Sequence, residues 1–85
     1  MKTFNYTIKD ELGIHARPAG LLVKEATKFK SSLTLKKGEK EADLKRLFAV
    51  MGLAVKNTDT VTVLINGEDE EEAYEAIRQF FEGNL

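Results

Sequence analysis

Apolar residues recur along this 85-residue chain in two alternating periods, and that alternation limits the fold more than any other feature. Residues Thr3 to Lys9 alternate, with Phe4, Tyr6 and Ile8 on one side, the period-two pattern of a half-buried strand. From Ala16 to Phe29 the period lengthens, and Ala19, Leu22, Val23 and Ala26 fall on one helical stripe. Leu33 and Leu35 return to strand spacing, and Lys37-Gly38-Glu39 has the chemistry of a hairpin turn into a short strand ending near Asp43. Leu47, Val50, Met51 and Ala54 are helically spaced. After a turn at Asn57-Thr58-Asp59, the residues Val61, Val63 and Ile65 alternate as far as Asn66-Gly67. Asp69 opens a last helix whose stripe is Ala73, Ala76, Ile77 and Phe80. The acidic run from Glu68 to Glu72 lies at the start of that helix, where negative charge complements the dipole, and it is expected to be a solvated face. The order β-α-β-β-α-β-α, without repeats or linkers, predicts one α+β two-layer domain over residues 1–85.

Composition narrows the function classes. The chain has room for one core, and its 42% hydrophobic content supplies one. It has no cysteine and a single histidine, which leaves neither disulfides nor a thiolate or histidine-rich metal site. A net charge of −1 argues against nucleic acid as the main partner. No apolar run reaches the length of a membrane span, and Met1-Lys2-Thr3-Phe4-Asn5 lacks a signal-peptide core, so a cytoplasmic protein is expected.

The chemistry concentrates in Gly13-Ile14-His15-Ala16-Arg17-Pro18-Ala19, which holds the only histidine and the only proline. Proline near a helix start is tolerated because the first N–H groups have no intrahelical partner. It therefore marks where the first helix begins and sets His15 at its N-terminal end. That end carries a partial positive charge and free backbone donors. A neutral imidazole is a competent nucleophile near pH 7, and a guanidinium two residues on pairs with phosphate oxygens. A lone histidine in such a place also fits a plain helix cap, and Gly13 fits a plain tight turn.

The same seven residues resemble the active-site signature of HPr, the histidine-containing phosphocarrier family of the bacterial phosphoenolpyruvate-dependent sugar phosphotransferase system. The likeness extends through Leu44-Lys45-Arg46-Leu47-Phe48-Ala49-Val50-Met51 and Asn66-Gly67-Glu68-Asp69-Glu70-Glu71-Glu72-Ala73. It implies an open-faced β-sandwich: an antiparallel sheet in the order 1-4-2-3, with all helices on one face. It implies that His15 accepts a phosphoryl group, through Nδ1, from enzyme I and passes it to the IIA component of a sugar permease. Arg17 would be the phosphate-site arginine, and the N–H groups of Ala16 and Arg17 would bind the transferred oxygens. Such a protein is a covalent carrier, expected as a monomer without a cofactor, and no enzyme on its own.

The second helix carries more large apolar residues than one stripe can bury: Leu47, Phe48, Val50, Met51 and Leu53. Some must be exposed. The resemblance implies that Leu47, Phe48 and Met51 form a docking patch for enzyme I and IIA, rimmed by Lys24, Lys45 and Arg46, with Phe48 the leading hot-spot candidate. One position departs from the family. Where HPr proteins of low-GC Gram-positive bacteria have a serine that a dedicated kinase phosphorylates, this chain has Arg46, so that switch should be absent.

Rival functions leave more unexplained. An ACT-like ligand-binding module has the same element types and no use for the His-Ala-Arg-Pro helix start. A nitrogen-branch carrier or a regulatory HPr paralogue would share the motif. An RNA-binding α+β domain lacks paired strand aromatics here.

Overall fold

The computed structural model describes all residues, Met1–Leu85. Its elements are β1 (Lys2–Thr7), α1 (Ala16–Ala26), β2 (Ser32–Lys37), β3 (Lys40–Asp43), α2 (Leu47–Gly52), β4 (Thr60–Asn66) and α3 (Glu70–Asn84). The strands form one antiparallel sheet in the order β1-β4-β2-β3. This is the order the family resemblance implied, which periodicity alone could not supply.

Register follows from the alternation. Phe4 stands opposite Val63, Tyr6 opposite Val61, and Leu35 between Val63 and Ala42. Leu33, Leu35, Val61, Val63 and Ile65 all point to one face and are buried under the helices. The opposite face is polar apart from the half-buried Leu64. There the hydroxyls of Thr7 and Thr60 hydrogen-bond at 2.9 Å, and Thr62 Oγ1 donates to Asn5 Oδ1 at 2.7 Å. A one-residue slip would exchange the two faces, so the apolar set holds the register.

Helices close the core with short stripes. α1 contributes Ala19, Leu22 and Ala26; α2 contributes Val50; α3 contributes Ala73, Ile77 and Phe81. Phe81 packs against Phe4 and Tyr6 in T-shaped pairs, with ring centroids 5.7 and 5.5 Å away, the favoured arrangement of aromatic quadrupoles. Each large side chain buried this way contributes about 1.5–3 kcal/mol of transfer free energy.

Two expected boundaries and one expected helical stripe shift. β1 ends at Thr7, because Ile8 leaves the ladder to exchange hydrogen bonds with the turn before β4: its N–H donates to Asp59 O, and its carbonyl accepts Thr58 N–H. α1 stops at Ala26 and does not run to Phe29. Thr27 Oγ1 donates to the Lys24 carbonyl, while the N–H groups of Lys28 and Phe29 close tighter i→i−3 turns. On α3 the deepest aromatic is Phe81, and Phe80 and Ala76 are only half-buried. Phe4 and Tyr6 of β1 pack on Phe81, which puts that residue on the buried stripe in place of Phe80.

Candidate functional site

The loop between β1 and α1 is held from three directions. Gly13 has φ +69°, and a Cβ there would lie 2.2 Å from the Val55 carbonyl oxygen, so glycine is required for conformation and for space. The next residue, the buried Ile14, donates its N–H to that same carbonyl at 3.0 Å. At the other end of the loop, the N–H groups of Lys9 and Asp10 donate to the Leu85 carbonyl, and Asn57 Nδ2 donates to Lys9 O. Chain segments distant in sequence thus set where His15 begins its helix.

His15 is the N-cap of α1, with extended backbone (φ −98°, ψ −177°) and no side-chain capping bond. A plain capping role therefore does not account for it. Its carbonyl accepts Ala19 N–H at 2.9 Å and closes the first turn. The N–H groups of Ala16 and Arg17 have no acceptor within the chain, and Pro18 offers none. Two adjacent free donors thus stand at the positive end of an eleven-residue helix, on the two residues that follow His15. Arg17 is exposed and makes no ion pair, which leaves its guanidinium available to an anion.

His15, Arg17 and Pro18 line an open depression together with Asp10, Leu21 and Asn84. The last three were not anticipated. Leu21 could have been found by helical geometry, since it lies three residues after Pro18 and off the buried stripe, and it is 49% exposed. Asp10 and Asn84 arrive through tertiary contacts that the sequence does not announce. A second, more polar depression lies along β2 and β3 and is lined by Ser32, Thr34, Glu41 and Asp43 among others. It is the better enclosed of the two, yet it shares no residue with the His15 site, and its one buried hydroxyl, Ser31, already donates to Asp69. No group of three or more metal-ligating side chains is clustered anywhere in the structure.

The structure sorts the apolar residues of the second helix. Val50 and Leu53 are core, Leu47 is half-buried, Met51 is 37% exposed and Phe48 is 85% exposed. Phe48 and Met51, three residues apart, share a helical face. Arg46 is the N-cap of α2, extended at φ −122° and ψ 111°, with no side-chain capping bond. Asp43 supports the turn instead: its Oδ1 accepts Lys45 N–H, and its carbonyl accepts Arg46 N–H. Lys24 is exposed near the end of α1. Lys45 is not a free rim cation, because its Nζ donates to Phe29 O at 2.8 Å. At the other end of α2, Lys37 Nζ donates to Ala54 O at 2.9 Å and pairs with Asp59 at 3.0 Å. The Lys56 N–H and then Lys37 hold the Asp59 carboxyl below its ordinary range.

The fold and this helix start define an open-faced α+β sandwich that presents one histidine at a helix N-terminus with unpaired backbone donors. Residues 2–83 match the family model PTS-HPr, the PTS HPr component phosphorylation site, and the chain belongs to that family of phosphocarrier proteins. The phosphocarrier protein HPr of Lysinibacillus sphaericus is 49% identical over 77 residues, which cover 91% of this chain and 88% of that protein. Among solved structures, HPr-C-His from Thermoanaerobacter tengcongensis superposes with a TM-score of 0.93 at 37% identity, covering 98% of this chain and 93% of that one. An HPr dimer from the same organism gives a TM-score of 0.78 at 37% identity, with 98% and 95% coverage. Nothing in the fold or in these relatives supports an ACT-like ligand-binding module. No helix of the structure is long and apolar enough to cross a membrane.

Proposed function

We propose that this chain carries a phosphoryl group on His15 from phospho-enzyme I to the IIA component of sugar permeases. The observation that carries this reading is the unengaged imidazole at the start of α1, next to two free N–H donors and an unpaired guanidinium. In the first step a ring nitrogen of His15, Nδ1 by family resemblance, bonds to phosphorus as the phosphorus–nitrogen bond on enzyme I breaks. The enzyme I imidazole leaves with the electron pair and takes up the proton that the His15 ring gives up. The Ala16 and Arg17 N–H groups and the Arg17 guanidinium stabilise charge on the equatorial oxygens. The second step repeats this chemistry with an acceptor on IIA. The chain is then a covalent carrier and turns over nothing alone.

Docking falls to Phe48 and Met51, flanked by Leu47, with Lys24 and Arg46 as cations that steer acidic partner faces. The protein acts in the cytoplasm, as one domain over residues 1–85 and as a monomer, which sedimentation equilibrium checks. The deciding experiment is incubation with phosphoenolpyruvate and enzyme I, followed by intact mass. The chain is expected to gain one acid-labile, alkali-stable phosphate, and His15→Ala none. Full phosphate on His15→Ala refutes the reading.

A further inference from the structure

An acidic residue, Asp10, lines the His15 depression. Asp10 is fixed there by three hydrogen bonds. Its N–H donates to Leu85 O at 2.9 Å, its carbonyl accepts Gly13 N–H at 3.0 Å, and its Oδ1 accepts Leu12 N–H at 2.9 Å. No cation pairs with it: neither Arg17 nor any lysine lies within ion-pair distance. The depression that His15 lines is thus also lined by one acidic residue without an ion-pair partner, with Arg17 as its one lining cation and Asn84 neutral. Nothing in the structural role of Asp10 requires the charge, since an asparagine oxygen would accept the Leu12 N–H equally well.

We infer that Asp10 is a charge-tuning residue for the phosphocarrier chemistry: its carboxylate destabilises a phosphoryl group on His15 and so makes phosphohistidine a stronger donor. The inference rests on His15 being the phosphoacceptor. A phosphoryl dianion on the ring shares the depression with the Asp10 charge, and repulsion raises the free energy of the adduct. The repulsion is relieved as the phosphoryl leaves, because the lengthening phosphorus–nitrogen bond carries the charged phosphoryl oxygens away from the carboxylate. Asp10 thus opposes Arg17. The guanidinium holds the transferred oxygens, and the carboxylate keeps them from being held too well. Both groups are exposed enough for the effect to be modest and sensitive to salt.

The test uses the full chain, loaded chemically with potassium phosphoramidate so that no partner enzyme enters. In loading, the phosphorus–nitrogen bond of phosphoramidate breaks, ammonia leaves, and the His15 nitrogen takes the phosphoryl group. In decay, a water oxygen bonds to phosphorus, the ring nitrogen keeps the bonding pair and takes a proton, and inorganic phosphate departs. The adduct on Asp10→Asn is expected to outlive that on the unmodified chain by about threefold to tenfold at low ionic strength, converging near 1 M salt. Asp10→Ala, which removes the turn acceptor as well as the charge, should behave like Asp10→Asn. Equal lifetimes in the unmodified chain and Asp10→Asn overturn the inference. So does a difference that survives high salt, or a change confined to Asp10→Ala, which would mark a purely structural residue. Failure of enzyme I to load the unmodified chain would refute the carrier reading separately.

Discussion

Asp69 caps its helix by position only; its carboxylate reaches away to Ser31. Oδ1 accepts the Ser31 hydroxyl at 2.5 Å and the Ser31 N–H at 2.9 Å, while Oδ2 accepts Lys30 N–H at 2.8 Å. Asp69 makes no side-chain bond to α3 itself. The residue joins the start of α3 to the approach of β2, and it satisfies the hydroxyl of Ser31, a residue only 1% exposed.

These bonds, the Ser31 hydroxyl first and then the Lys30 N–H, lower the Asp69 pKa from 3.8 to about 2. A carboxyl whose folded value is depressed stabilises the fold above its unfolded value and loses that stabilisation as pH falls through the folded value. Stability is therefore expected to decline as pH drops from about 4 to about 2. Glu70, depressed by the N-terminal ammonium and the Gly67 N–H, adds to the slope with the same sign. Asp69→Asn should flatten part of it. Urea melts between pH 2 and 7 check this, and identical slopes in the two proteins would refute it.

Gly13→Ala should destabilise the fold by more than about 1 kcal/mol, because a side chain is unfavourable at positive φ and this one collides with the Val55 carbonyl. The loop would have to move, and with it the start of α1. Chemical loading of His15 should slow in the surviving folded fraction. Melts and loading rates on one preparation test both effects.

Phe48→Ala separates docking from packing. A core phenylalanine costs about 3–5 kcal/mol of stability when truncated. At 85% exposure, Phe48 should cost within about 0.5 kcal/mol. Binding to enzyme I should weaken by about 2 kcal/mol or more. A large loss of stability with unchanged affinity would show that the side chain has been assigned the wrong role.

Arg46→Ser gives α2 the N-cap oxygen it lacks, at a residue whose extended backbone already suits a cap. The expected gain is about 0.5–2 kcal/mol in a denaturant melt. The same change removes a cation beside Phe48, so association with an acidic partner should slow, more visibly at low salt. The unmodified chain should take no phosphate at residue 46 from the ATP-dependent HPr kinase, and mass spectrometry after kinase treatment checks this.

The element order, the apolar face of each strand and the location of His15 at a helix start were legible in the sequence, because periodicity and a lone proline are local constraints that act on neighbouring residues. The sheet order came only with the family likeness, since antiparallel pairing of β1 with β4 joins residues at opposite ends of the chain. The second helix shows the limit most clearly. Its apolar residues could be counted in the sequence, but which of them are core depends on the elements that press on the helix, and these leave Val50 under cover and Phe48 outside. The same holds for the site. His15 and Arg17 are two residues apart and visible together, whereas Asp10 and Asn84 come to line their depression only because the Leu85 carbonyl binds the backbone of Lys9 and Asp10. Local periodicity carries no information about such long-range hydrogen bonds, whose geometry exists only once the core has closed.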